Sequence, residues 1–280
     1  MSGLPRVDHV VVNVRDAMDA AVERFRALGF TLTDRGHHSL GSINHLMVFD
    51  DDYLELVGIP VGAKHVRREI ADSPAGLNGL VFATDDAERL HDALAARGVP
   101  VGDVVAFHRQ VAIDGTMHRA SFKTVRLVPD FVRGGRVYFC EHETPQLIWR
   151  PEWQAHRNGV HALAGLTVVL CDAEREAARY AEVVGGAPAH LGSGESEVRF
   201  RDCTVRFSAP GRYASRYGDA ACDAHGRDAF IGALALRTSS LRRVRDCLAA
   251  APEISDVRML PDRIIVSARC AFNSLIEFVE

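Results

Sequence analysis

One short order of elements returns four times along this chain, and that recurrence restricts its folds more than any single residue does. Residues 6–14, "RVDHVVVNV", read as a strand. "DAMDAAVERFRAL", 16–28, reads as a helix with Asp16 as its N-cap, a Met18, Val22, Phe25, Leu28 stripe and Gly29 as its stop. Strands are predicted around 31–36, 43–49 and 53–58, with "DDD" at 50–52 as a turn. The resulting order, β-α-β-β-β, opens again at "NGLVFATDD", at "LAGLTVVLCD" and at "IGALALRT", so modules begin near residues 7, 78, 164 and 231. One such module leaves a face of its curved sheet bare. Two close around a shared cavity. The expected fold is therefore α+β: four βαβββ modules paired into two curved-sheet barrels. The first barrel is expected over 1–150, a polar linker over 151–159, and the second barrel over 160–280.

With 280 residues, nearly half of them apolar, the chain supports a large core. A net charge of -4 argues against a nucleic-acid or anionic-membrane partner. No apolar run approaches the ~20 residues of a membrane span, and "MSGLPRVDHV" lacks the apolar stretch of a secretion signal, so a cytoplasmic protein is expected. The six cysteines are scattered, with no C-x-x-C pair, and read as reduced. Lys64 and Lys123 are the only lysines beside many arginines, the mark of GC-rich bacterial coding.

His9 stands among valines in the opening strand. An unpaired buried imidazole costs ~1–3 kcal/mol, so something must satisfy it. Glu55, set in "YLELV", carries a larger burden of the same kind.

The module order, together with "DHVVVNV", "HSLGSINHLMVF", "DYLELVG", "FCEHETPQLIWRPEW" and "HRNGV", resembles the vicinal oxygen chelate superfamily, and within it the bacterial glyoxalase-like proteins. That superfamily includes glyoxalase I, extradiol dioxygenases and bleomycin-resistance proteins. The resemblance implies a divalent metal inside a barrel, held from the first and last strands of paired modules. It places His9 and Glu55 at two ligand positions. The second module departs from the pattern: Asn78 or Gly79 stands where a histidine is expected. Its last strand offers Glu141 or His142, and alternation with Tyr138 and Cys140 favours His142. The implied ligands are His9, Glu55 and His142, around Fe, Zn, Ni or Mn.

A tight turn at 50–52 would put His45, Met47 and Phe49 on the face of Glu55, so His45 is a further ligand, a general base or a substrate donor. His45 or Glu55 is then the catalytic base. Asn13, on the face of His9, is a donor to substrate. Trp149 packs across the junction between barrels, with Trp153, or walls the substrate. His37 and His38 read as solvent-exposed, and Arg119 and Arg126 as surface charges, in preference to the alternative that either holds a substrate carboxylate bidentately. Leu166 stands where a first-strand histidine would be in the second barrel, and Glu277 repeats Glu55 without an imidazole. That barrel is expected to support the first or to shape a homodimer contact.

The expected function is that of a metal-dependent enzyme doing isomerase- or lyase-type proton transfer on a small substrate with adjacent oxygens. The alternatives are a metal-free small-molecule binding protein of the resistance type and an Fe(II) dioxygenase. By resemblance, extradiol enzymes carry their metal in the C-terminal modules, which disfavours that assignment here. No dinucleotide, P-loop or nucleophile-elbow motif occurs.

Overall fold

β-branched runs such as Val10–Val12 favour strands, and sixteen strands are found among the described residues. The computed structural model describes residues 5–63, 67–129 and 131–280. The first half holds β1 (Val7–Arg15), β2 (Gly36–His38), β3 (Ile43–Val48), β4 (Tyr53–Gly58), β5 (Gly76–Ala83), β6 (Val105–Ile113), β7 (Thr116–Arg126) and β8 (Arg136–His142). They close into a barrel in the order β1-β4-β3-β2-β6-β7-β8-β5. In each module the first strand runs parallel to the last, β1 beside β4 and β5 beside β8, and β1 meets β5 antiparallel. This is the α+β arrangement of paired βαβββ modules that the repeat predicts.

The second half holds β9 (Val160–Leu170), β10 (Pro188–Gly192), β11 (Glu195–Arg199), β12 (Thr204–Ser208), β13 (Ala229–Thr238), β14 (Val257–Met259), β15 (Arg263–Val266) and β16 (Leu275–Val279). Its sheet, β10-β11-β12-β9-β13-β16-β15-β14, repeats the same parallel pairs but leaves β10 and β14 as edges. Helix Pro210–Tyr217, absent from the sequence expectations, fills its concave face. Tyr213 there donates to the Gly232 carbonyl at 2.7 Å, and the Tyr217 hydroxyl meets Glu277 at 3.2 Å. The carboxylate that echoes Glu55 is thus held by Tyr217 and by Arg263 at 3.3 Å.

One apolar core runs between the halves, joining Phe25, Phe30, Phe82, Phe200 and Phe278. Phe82 meets Phe200 with ring centres 4.9 Å apart. At Gly134, φ is +105° and a Cβ would lie 2.4 Å from Val168, so only glycine allows this approach. Segment 151–159 is anchored: His156 bonds the Val48 carbonyl at 2.9 Å and Asn158 donates to the Leu28 carbonyl at 3.0 Å, both residues being buried. Asp86 caps the second module's helix through Arg89 N–H, but the first helix starts at Met18 with Ala17, not Asp16, before it. Among the described residues no helix is long and apolar enough to cross a membrane. All six cysteines are free.

Candidate active site

A second cluster fills part of the first barrel with Val11, Leu46, Val57, Val81 and Phe122. Beside it lies a cavity of about 40 Å³ whose wall includes His9, His38, Asn44, Glu55 and Tyr138.

The opening strand delivers two consecutive polar side chains to this interior. The β1–β5 register shifts between Val7 and His9, so the chain bulges at Asp8. Val7 and Val10 face the outer core, while Asp8 and His9 both turn inward. The Asp8 carboxylate is wholly buried and lies 2.6 Å from His9 Nδ1 and 2.9 Å from His142 Nε2. Burial opposes its ionisation, but attraction and hydrogen bonding from His142 and His9 win, holding the carboxyl well below its usual range. The His9 nitrogen facing this anion must carry a proton. The ring is clamped further by stacking on Tyr53, with centres 4.3 Å apart. Its Nε2 is left to look into the cavity, 3.3 Å from the Tyr138 hydroxyl and 3.7 Å from Glu55 Oε2.

Glu55 lies between two imidazoles. Its second oxygen accepts from Asn44 Nδ2 at 2.7 Å and stands 3.8 Å from His38 Nε2. Burial pushes the Glu55 carboxyl up, but His9, His38, the Asn44 hydrogen bond and Arg109 bring it below its usual value. Burial lowers His38 to about 4 against the pull of Glu55, so it is neutral at pH 7. Its Nδ1 lies 2.9 Å from Ser42 Oγ. Close packing of β2 on β3 is needed here: a Cβ on Gly36 would fall 2.2 Å from Asn44 Oδ1 and 2.9 Å from Arg109 Nη1.

Several sequence expectations are relocated. His45 pairs across from Leu56, and Leu46 pairs with Glu55, so the β3–β4 register is one residue from the predicted one. His45 therefore leaves the barrel and meets the Thr33 carbonyl at 2.7 Å and Arg35 at 3.3 Å, while Asn44 takes the place beside Glu55. Asn13 spends its amide on the Ile70, Ser73 and Pro74 carbonyls at 2.8, 3.2 and 3.2 Å and lies off the cavity wall. His142 turns inward, as alternation predicts, but reaches Asp8 on the far side of the His9 ring from Glu55. Glu141 turns outward to accept from Ala87 N–H at 2.8 Å. Trp149 packs against His142 and Tyr53, ring centres 4.8 and 6.0 Å away, and stands behind Tyr53 rather than on the cavity wall. His38 is inside, whereas His37 is exposed.

Asp8, Asn44, Arg109 and Tyr138 were given no site role from sequence, and His38, read as solvent-exposed, has a buried side chain 3.8 Å from Glu55. The polar alternation His38, Ser42, Asn44 was a readable sign. The bulge at Asp8 left none, because regular alternation turns that residue outward.

Two donor sets follow. Asp8, Cys140 and His142 each offer a ligand atom within 4.8 Å of the others. Burial raises the Cys140 thiol well above its usual range, however, and of the three only Cys140 borders the cavity. His9, Glu55 and His38 all border the cavity. They present a carboxylate held ionised and two imidazole nitrogens, His9 Nε2 lying 3.3 Å from the Tyr138 hydroxyl and His38 Nε2 3.3 Å from Asn44 Nδ2, with Asp8 bracing His9 from behind. That chemistry fits a divalent cation.

The described geometry can be set beside known proteins. The family model for a glyoxalase-like domain matches residues 7–184. None of the curated proteins matches the chain in sequence. A hypothetical protein from Staphylococcus aureus is similar in structure, with a TM-score of 0.69 and 12% identity over 98% of this chain and 99% of that one. A mutant 4-hydroxymandelate synthase from Streptomyces coelicolor gives 0.57 and 11%, over 99% and 92%. An extradiol ring-cleaving dioxygenase from B. fuscum gives 0.58 and 14%, over 99% and 72%. At these identities the likeness speaks for the fold alone. With the family model spanning most of its length, the chain belongs to the glyoxalase-like domain family and carries the vicinal oxygen chelate fold.

Proposed function

We propose that this protein is a metal-dependent enzyme of the vicinal oxygen chelate type, acting on a small molecule in the cavity of its first barrel. The observation that carries this reading is the convergence of His9 Nε2 and Glu55, 3.7 Å apart, with His38 on the opposite oxygen of Glu55 at 3.8 Å. The ligand set is His9, Glu55 and His38. His142, expected in that set from sequence, serves as a second partner of Asp8. A bound divalent ion supplies Lewis acidity toward substrate oxygens.

The chain's own groups do the rest. Asp8 fixes the His9 tautomer and adds to its basicity. Asn44 holds Glu55 in place. Tyr138, whose hydroxyl burial keeps protonated, donates a hydrogen bond to an oxygen bound beside His9. Leu46, Val57, Phe107 and Phe122 supply the apolar part of the wall. With His45 outside the barrel, no side chain among the described residues that border the cavity, free of the ligand set, stands ready as a strong base. This narrows the isomerase- or lyase-type reading, in which Glu55 or His38 must also move a proton. The Fe(II) oxygenase reading gains from the same observation, since two imidazoles and one carboxylate are the donor set of non-haem iron oxygenases.

The test is metal analysis of protein purified without a histidine tag. One equivalent is expected in the wild type and in His142→Ala, with loss in His9→Ala and Glu55→Gln. Metal retained in the latter two but lost in His142→Ala would move the site to Asp8, Cys140 and His142. No metal under any loading condition would leave the binding-protein reading. Oxygen uptake with iron loaded separates the oxygenase from the proton-transfer enzyme.

A further inference from the structure

The small cavity is short of negative charge. Arg67, Arg109, Arg126 and Arg136 border it, against Glu55 alone. Glu69 pairs with Arg67 at 2.8 Å and with Arg126 at 3.4 Å. The other two guanidiniums feel Glu55 only from a distance and form no ion pair within 4.0 Å among the described residues. Arg109 is 2% exposed, its guanidinium makes no hydrogen bond or ion pair to a described residue, and its Nη2 is buried with no partner. Arg136 donates from Nε to Asn78 at 2.7 Å and pairs with no carboxylate among the described residues. Burying unpaired cations is costly unless an anion arrives to meet them.

The space is also divided. About 40 Å³ holds a group the size of a carboxylate or a few waters, not a whole metabolite. Arg126, Arg136 and Tyr138 are shared with a second cavity of about 670 Å³, which lies between the barrel and the 226–229 segment of the second half. That volume is typical of a small-molecule site. Its wall carries Leu127, Val128, Val132 and Val137 beside the arginines.

We propose that the substrate is a carboxylate with an apolar body: the head sits between Arg109 and Arg136 in the inner cavity, and the body runs past Tyr138 into the outer one. This assignment of substrate class rests on the reading of the first barrel as the active site. Arg136 is the hinge point, since it borders both spaces.

The probe is a series of straight-chain monocarboxylates, butanoate to octanoate, titrated calorimetrically into the full-length, chelator-treated protein. Affinity should rise two- to fourfold per added methylene, as apolar burial requires. Hexanamide, which lacks the charge, should bind at least tenfold more weakly than hexanoate. Arg109→Gln and Arg136→Gln should each weaken the whole series tenfold or more. Val128→Asp, a surface change on the outer wall that leaves the buried charges alone, should weaken octanoate and spare butanoate. A flat chain-length series, equal binding of the amide, or insensitivity of octanoate to Val128→Asp would overturn the proposal, whether or not the arginine variants fold. Metal loading separates the two readings. Loss of anion binding with metal retained on His9 and Glu55 refutes only the substrate class, and the reverse outcome refutes only the metal set.

Discussion

Asp52 allows a quantitative test of how the two halves are joined. It lies in the "DDD" turn, yet it is only 6% exposed, and both its oxygens accept from Leu163 N–H, at 3.1 and 3.2 Å. Burial pushes its carboxyl from 3.8 up to about 8, with the Leu163 N–H and Arg6 opposing and Asp8 and Asp51 adding to the rise. The sign follows from linkage. Below the unfolded value both states hold the proton, and the fold keeps its full stability. As pH rises toward about 8 the unfolded chain releases the proton and the folded one does not, so stability falls by ~1.4 kcal/mol per pH unit. His38, His45 and His156 have lowered folded values, so they add stability as pH rises up to the ordinary histidine value of 6.5 and mask the effect there. Between pH 6.5 and 8 the Asp52 contribution stands clear and amounts to a loss of about 1.5 kcal/mol, or roughly 3–6 °C in melting temperature. Asp52→Asn keeps the acceptor for Leu163 and removes the titration. Thermal melts of both proteins across that range should diverge steadily, with the variant gaining on the wild type as pH rises. Melting temperatures that keep a constant separation would refute the argument.

Two further outcomes bear on the cavity. Gly36→Ala, which drives a methyl group against Asn44 Oδ1 and Arg109, should loosen the hold on Glu55 and cut metal affinity about 10–100-fold, while costing about 1–3 kcal/mol of stability; metal titration and melts read the two separately. His45→Ala should cost about 1–2 kcal/mol through the lost Thr33 contact and leave metal affinity unchanged, so a variant that loses its metal would return His45 to the site.

The fold was legible because it depends on period and order, which every strand and helix restates. Val10, Val12 and Val14 announce one face of β1, and the repeat announces the partners. The site was half legible. His9 and Glu55 stand out as charge-capable groups in apolar runs, and the structure brings them together. The rest was hidden by single-residue shifts. A tight-turn assumption put His45 beside Glu55, but the actual register exchanges it for Asn44. A bulge turns Asp8 inward against its alternation. Arg109 and Arg136 looked like any other arginines, because their isolation from carboxylates is a property of three-dimensional neighbours.

The tyrosine-bearing helix Pro210–Tyr217 gives the duplicated architecture an uneven division of labour. A hollow frame surrenders the cohesion that dense packing would bring. The C-terminal half packs Tyr213 and Tyr217 against its own sheet, and it lies against the first half along a shared apolar seam. It packs as a buttress, its interior occupied by side chains where its neighbour keeps a small cavity.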